Sequence, residues 1–136
     1  MAPATVLAMV AAEEALEDAQ WKPNNEESLN NTGVIVGMGM TDIEDIVSSS
    51  DLLSKSYSKV SPFFVTRILV NMATGQISIK YGFQGPSSCV TTACAAGAHS
   101  IGDAFRTIKY GDADVMVCGG TESCISPLSI AGFCRI

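Results

Sequence analysis

The stretch TTACAAGAHS, residues 91–100, places one thiol where an extended pattern, SSCVTTA, gives way to a helical one, AAGAHSIGDAFRTIKYG. A cysteine in the first turn of a helix faces unpaired backbone N–H groups and the positive end of the helix dipole, which favour thiolate over thiol. Thiolate is the form that attacks. Ala93, Ala95, Ala96 and Gly97 are small, so a substrate carbonyl could approach Cys94 closely, and backbone amides beside it could hold a developing oxyanion. The competing reading is a small buried cysteine that only fills space, as most free cysteines do. Local pattern leaves both open.

The remaining reactive side chains have weaker settings. Cys118 falls within an apolar strand pattern and Cys89 within a β-like run, which predicts core positions for both; Cys124 and Cys134 fall in predicted loops with no activating neighbour. The one histidine, His99, follows Cys94 by more than a helical turn, so it is poorly placed as that thiol's base and is expected to be a packed or hydrogen-bonded helix histidine. The five cysteines form no C-x-x-C pair and His99 has no partner at zinc spacing, so no metal site is expected. GMGM is too short for a phosphate loop, CGGTES lacks a lysine, and Asp112 and Asp114 read as turn and helix-end residues.

Alternating strand and helix patterns must position Cys94. Residues 4–20 read as an amphipathic helix with Val6, Met9, Val10, Ala15 and Leu16 on its apolar side. KPNNEESLNN breaks it, and TGVIVGMGM reads as a short apolar strand ending in glycines. A helix is expected from Asp42 to Leu53, then a polar loop. Ser61 and Pro62 are expected to cap and open one long helix, FFVTRILVNMATGQISIKYG. After the turn GFQGPSS come a strand, CVTTA, a helix from Ala95 to the Tyr110-Gly111-Asp112 stop, and ADVMVCGG, a strand expected to be buried on both faces. The alternation indicates α/β layers. The last residues, SPLSIAGFCRI, read as a cut end rather than a capped or polar tail.

Composition narrows the function classes. The chain is 47% hydrophobic with only 16% charged residues, a balance suited to a buried layer of a larger protein. Its net charge of −6 and scattered basic residues provide no face for nucleic acid. No apolar run reaches the roughly 18 residues of a membrane span. The apolar start MAPATVLAMVAAEEALEDA contains glutamates and no arginine, unlike a signal or transit peptide, so any targeting segment is expected outside this chain. An odd number of thiols in apolar runs suits a reducing compartment.

At GPSSCVTTACAAGAHSIGDAFRTIKYGDADVMVCGGTES the sequence resembles the β-ketoacyl-acyl carrier protein synthases, the elongating condensing enzymes of type II fatty acid synthesis. The likeness extends back through VSPFFVTRILVNMATGQISIKYG and GVIVGMGM and forward through SPLSIAGF. The combination of GMGM, YSKVSPFFV and ILVNMA is most similar to mitochondrial members, with bacterial cytoplasm and plastid as the other locations the family occupies.

The resemblance implies part of the N-terminal half of a thiolase-like αβαβα layered fold, with residues 1–136 a partial N-terminal domain. It makes Cys94 the acyl-accepting nucleophile at a helix N-terminus, with its backbone amide in the oxyanion hole. Met40 and Phe133 then line and gate the acyl pocket, and Phe64 closes it from the partner subunit of a homodimer. The strand SSCVTT then pairs across the dimer twofold. The implied substrates are acyl and malonyl thioesters on acyl carrier protein, whose phosphopantetheine is the only cofactor involved; this chain itself binds none, and no metal. The family draws two histidines, a lysine and a glycine-rich loop from a second half that these residues do not contain, and its opening strand is also missing, so the chain alone is expected to be inactive. Two alternatives stand beside this: a non-catalytic product that pairs with a full-length subunit, and another thiolase-superfamily acyltransferase.

Overall fold

A computed structural model describes all 136 residues. Three parallel strands form the middle layer in the order β2-β1-β3: β1 is Thr32–Gly37, β2 is Ser87–Ser88 and β3 is Val115–Gly120. Parallel strands need crossovers, and helices supply them. Seven helices surround the sheet: α1 Pro3–Asp18, α2 Glu26–Asn30, α3 Ile43–Lys55, α4 Phe64–Ile68, α5 Met72–Tyr81, α6 Ala96–Tyr110 and α7 Pro127–Phe133.

The two faces of β1 take different neighbours because successive residues point opposite ways. Val34 and Val36 join Ala8, Ala12 and Leu16 of α1, Ala73 and Ile77 of α5, and Phe83 in one apolar core. Val34 and Ile77 are essentially fully enclosed, and burial of such a side chain contributes about 1.5–3 kcal/mol. On the other face α6 lies against β1 and β3, and its own buried residues are small: Ala96, Ser100 and Ala104. Helix, sheet and helix thus make the α/β layering that alternation predicts.

Two buried threonines stitch the layers. Thr74, inside α5, accepts from the Val36 N–H at 3.1 Å and donates to the Ser88 carbonyl at 3.0 Å, tying the helix to two strands at once. Thr32 donates to the Ser28 carbonyl at 2.6 Å and accepts from Trp21 Nε1 at 3.2 Å, fastening the start of β1 to α2. Each bond satisfies a group that would otherwise be costly to enclose.

Several sequence expectations are corrected. Helix α1 forms, but its buried side is Ala4, Thr5, Ala8, Ala12 and Leu16, while Val6 and Val10 point outward at 43% and 51% exposure. Space decides this face: α1 approaches α5 closely, and alanine at every fourth position permits it. The long helix expected from Ser61 is two helices, broken where Leu69 turns extended (φ −74°, ψ 123°). The Ser61 hydroxyl accepts from the Phe63 N–H and its carbonyl from the Phe64 N–H, which makes a turn and not a helix cap. KPNNEESLNN contains α2, capped by the Asn25 side chain on Ser28 N–H, and SPLSIAGF is α7, capped by Ser126 on Ser129 N–H. CVTTA does not extend the strand: only Ser87–Ser88 pair in register with β1, and beyond them the contact is reduced to the Met38 N–H on the Val90 carbonyl. Strand β3 is an edge, so Cys118 is exposed rather than core, and Cys89 is only half-buried.

Candidate active site

Strands β1 and β3 both end in glycine, and the start of α6 settles on that end. A Cβ at Gly37 would collide with the Ala96 carbonyl and stand 2.9 Å from the Gly97 amide nitrogen. One at Gly120 would stand 2.8 Å from Gly97 Cα. Only backbone fits between these elements. Ser100, fully buried one turn further on, is hydrogen-bonded to the Gly97 and Gly119 carbonyls and holds α6 to the strand end.

The chain enters α6 through a sharp elbow. Thr92 is followed by Ala93 at φ +47°, a left-handed conformation that costs a non-glycine residue about 1–2 kcal/mol. Ala93–Ala95 then form a single 3₁₀ turn, closed by Ala95 N–H on the Thr92 carbonyl at 3.0 Å. Cys94 is the middle residue of that turn, exposed, immediately ahead of α6. His99 reaches back across the start of α6, with Nδ1 2.9 Å from Thr92 Oγ1. The histidine therefore braces the elbow and is the hydrogen-bonded helix residue that its spacing predicts.

A cavity of about 490 Å³ opens beside this elbow at the carboxyl end of the sheet. Ligands of parallel α/β sheets bind at that end. Its wall includes Cys94, Met40 and Phe133, three of the four residues singled out in the sequence, brought together from positions 54 and 39 residues away from the cysteine. Phe64 does not line it; it sits half-buried in α4. Glu122 and Cys124 also line the cavity, and sequence reasoning missed both. The Glu122 carboxylate accepts from the Gly39 N–H at 3.0 Å and the Met40 N–H at 3.3 Å. The one signal for it was its position directly beyond a strand that ends in paired glycines.

Among the thiols, burial pushes Cys89, Cys118 and Cys124 up from the ordinary thiol range. Cys118 is exposed by surface area, yet neighbouring groups still strip enough water from its sulfur to disfavour thiolate. Cys124 also donates to the Thr41 carbonyl at 2.9 Å. No group of three or more His, Cys, Asp or Glu side chains is arranged to hold a metal ion, and no helix is long and apolar enough to cross a membrane.

A small-residue elbow thus presents an exposed thiol just ahead of a helix, beside a cavity at the carboxyl end of a parallel sheet in an α/β fold. Residues 1–136 match the beta-ketoacyl synthase, N-terminal domain, and the chain belongs to that family. It is 58% identical over 129 residues to the mitochondrial 3-oxoacyl-[acyl-carrier-protein] synthase of Arabidopsis thaliana, a match that takes in 94% of this chain and 28% of the relative. It is 51% identical to 3-oxoacyl-[acyl-carrier-protein] synthase 2 of Rhizobium meliloti, over 96% of this chain and 31% of that one. Among solved structures it is similar to a type II polyketide ketosynthase in complex with its acyl carrier protein, with a TM-score of 0.86 at 27% identity over 96% of this chain and 33% of that one. A beta-ketoacyl synthase from Burkholderia phymatum gives 0.85 at 26%, over 98% of this chain and 33% of its own. The chain therefore spans about a third of the length of the relatives it matches, and its layers are those of the N-terminal part of a thiolase-like ketosynthase.

Proposed function

We propose that the polypeptide carrying this chain is a 3-oxoacyl-acyl carrier protein synthase of type II fatty acid synthesis, with Cys94 as its acyl-accepting nucleophile. The observation that carries this reading is the cavity that gathers Cys94, Met40 and Phe133 at the strained elbow. In the first half-reaction, Cys94 Sγ attacks the thioester carbonyl of an acyl group on the phosphopantetheine arm of acyl carrier protein. A new sulfur–carbon bond forms, the old one breaks, and the phosphopantetheine thiol leaves with a proton. The Cys94 backbone N–H, in the turn just ahead of α6, is suited to the developing oxyanion. In the second half, malonyl-carrier protein loses carbon dioxide, and the resulting carbanion attacks the acyl-Cys94 thioester, making a carbon–carbon bond and releasing the thiolate.

The chain divides these tasks unevenly. The nucleophile, the elbow and part of the acyl wall lie within it, while its single histidine is committed to Thr92. Decarboxylation therefore rests on groups outside these residues, and the 136 residues alone are inactive in this reading. Met40 and Phe133 bound the acyl chain. Phe64 and the exposed edge strand β2 serve a homodimer in which the partner copy closes the pocket. The similarity to mitochondrial relatives favours the mitochondrial matrix.

Intact-mass analysis of the native polypeptide after incubation with acyl-carrier protein tests this. One acyl increment that maps to Cys94 and disappears in Cys94→Ala is expected; an increment that survives the substitution removes Cys94 from the role.

A further inference from the structure

The turn between β1 and α3 carries Met40 to the cavity and is gripped from two sides. On one side, Met38 N–H donates to the Val90 carbonyl at 3.0 Å, and Gly39 lies so near the Ala93 carbonyl that a Cβ there would be 3.2 Å from it. On the other side stands the loop after β3. Thr121 N–H donates to the Gly37 carbonyl at 3.0 Å, the Cys124 thiol donates to the Thr41 carbonyl, and the Glu122 carboxylate takes the Gly39 and Met40 N–H groups. Glu122 is the only charged side chain in the cavity wall; its carboxylate accepts from two backbone amides of the turn and also lies near enough to the Cys124 thiol to help raise it.

We propose that Glu122 is a positioning residue for acyl-chain selection: its carboxylate clamps the Gly39–Met40 backbone against the Cys94 elbow and so fixes where the Met40 side chain bounds the cavity. The inference rests on the proposed condensing function. Glycine at 39 makes the clamp possible, since any side chain there would meet Glu122 Oε2 at 2.9 Å. It also makes the clamp useful, because Gly39 itself gives the turn backbone freedom that a side chain would remove. Charge-assisted acceptance of two consecutive amides removes that freedom, and Met40, 36% exposed, has no comparable restraint from packing. The loop after β3 thus acts on substrate choice through Met40 without touching the reacting atoms.

The test uses the native polypeptide, with short- and long-chain saturated acyl thioesters of acyl carrier protein as paired substrates. In Glu122→Ala the ratio of kcat/KM for long against short chains should change about tenfold, chiefly through KM, the size of discrimination that a few methylenes in a pocket provide. Glu122→Gln keeps an oxygen that can accept from both amides and should restore the ratio to within about twofold. Hydrogen exchange supplies a readout independent of activity: the Gly39 and Met40 amides should exchange about tenfold faster in the alanine variant and not in the glutamine one. An alanine variant with wild-type ratio and wild-type exchange overturns the clamp, as does a glutamine variant as disturbed as the alanine one. Should Glu122→Ala not fold, Glu122→Asp, which withdraws the carboxylate by one methylene, is read for the same two outcomes. If the wild type takes up no acyl group at all, the condensing function falls instead, and exchange at Gly39 and Met40 still decides the clamp.

Discussion

Substituting alanine for Gly120 probes whether the approach of α6 to the sheet sets the position of Cys94. The new Cβ would lie 2.8 Å from Gly97 Cα, and ordinary contact begins at 3.4 Å, so the start of α6 must retreat by about 0.6 Å. Gly97 is three residues beyond Cys94, within the same turn of chain, and the elbow moves with it. Overpacking of this size costs about 1–3 kcal/mol of stability. Because a misplacement of about 1 Å costs a catalytic group on the order of a hundredfold, a shift near half of that should lower kcat/KM about tenfold. Gly37→Ala should be worse on both counts, since its Cβ would meet the Ala96 carbonyl and the Gly97 amide together. The measurements are acyl transfer to Cys94 by mass, steady-state kcat/KM, and thermal unfolding, all on the native polypeptide. If both variants melt with the wild type and acylate Cys94 at its rate, backbone contact at the strand ends does not place the thiol.

Iodoacetamide at neutral pH should label Cys94 ahead of Cys89, Cys118 and Cys124, because raised thiols hold less thiolate there; their labelling should catch up only as pH rises above the ordinary thiol range, and equal neutral-pH rates would refute the ordering. Met40→Trp should shorten the longest acyl chain accepted, and an unchanged product profile by chromatography would remove Met40 from the pocket wall. Thr32→Val keeps the shape but strands the Ser28 carbonyl and the Trp21 N–H, so stability should fall by about 1–3 kcal/mol and the emission of the single tryptophan should shift; an unchanged spectrum and denaturation midpoint would show that neither bond matters.

The dipeptide Ser-Pro occurs at 61–62 and at 126–127, and the pair shows how far local signals reach. At Ser126 the hydroxyl caps Ser129 N–H and Pro127 opens α7. At Ser61 the same two residues form a turn, and the first helical residue is Phe64, two positions beyond Pro62. The apolar stretch that follows has no polar face to mark a phase, so nothing local announces the break at Leu69–Asn71. Helix α1 fails in the same way: hydropathy selects Val6 and Val10, but the close fit to α5 selects the alanines.

What the sequence by itself determined is local and chemical. Strand β1, the Asp42-capped α3, the glycine stop of α6 at Gly111 and the thiol set just ahead of a helix all follow from capping, periodicity and the φ freedom of glycine, which act over a few residues. The quoted motifs carried the family resemblance, which strengthened Cys94 and implied pocket roles for Met40, Phe64 and Phe133; of these four, Cys94, Met40 and Phe133 line the cavity. Tertiary structure alone decided that these three share one cavity, that Ala93 takes the strained conformation of the elbow, and that Glu122 reaches Gly39 and Met40 across more than eighty residues. Those facts depend on where β1 and β3 end relative to each other and on how closely two backbones can approach at Gly37, Gly97 and Gly120. Such distances are properties of packed layers, and no window of sequence contains them.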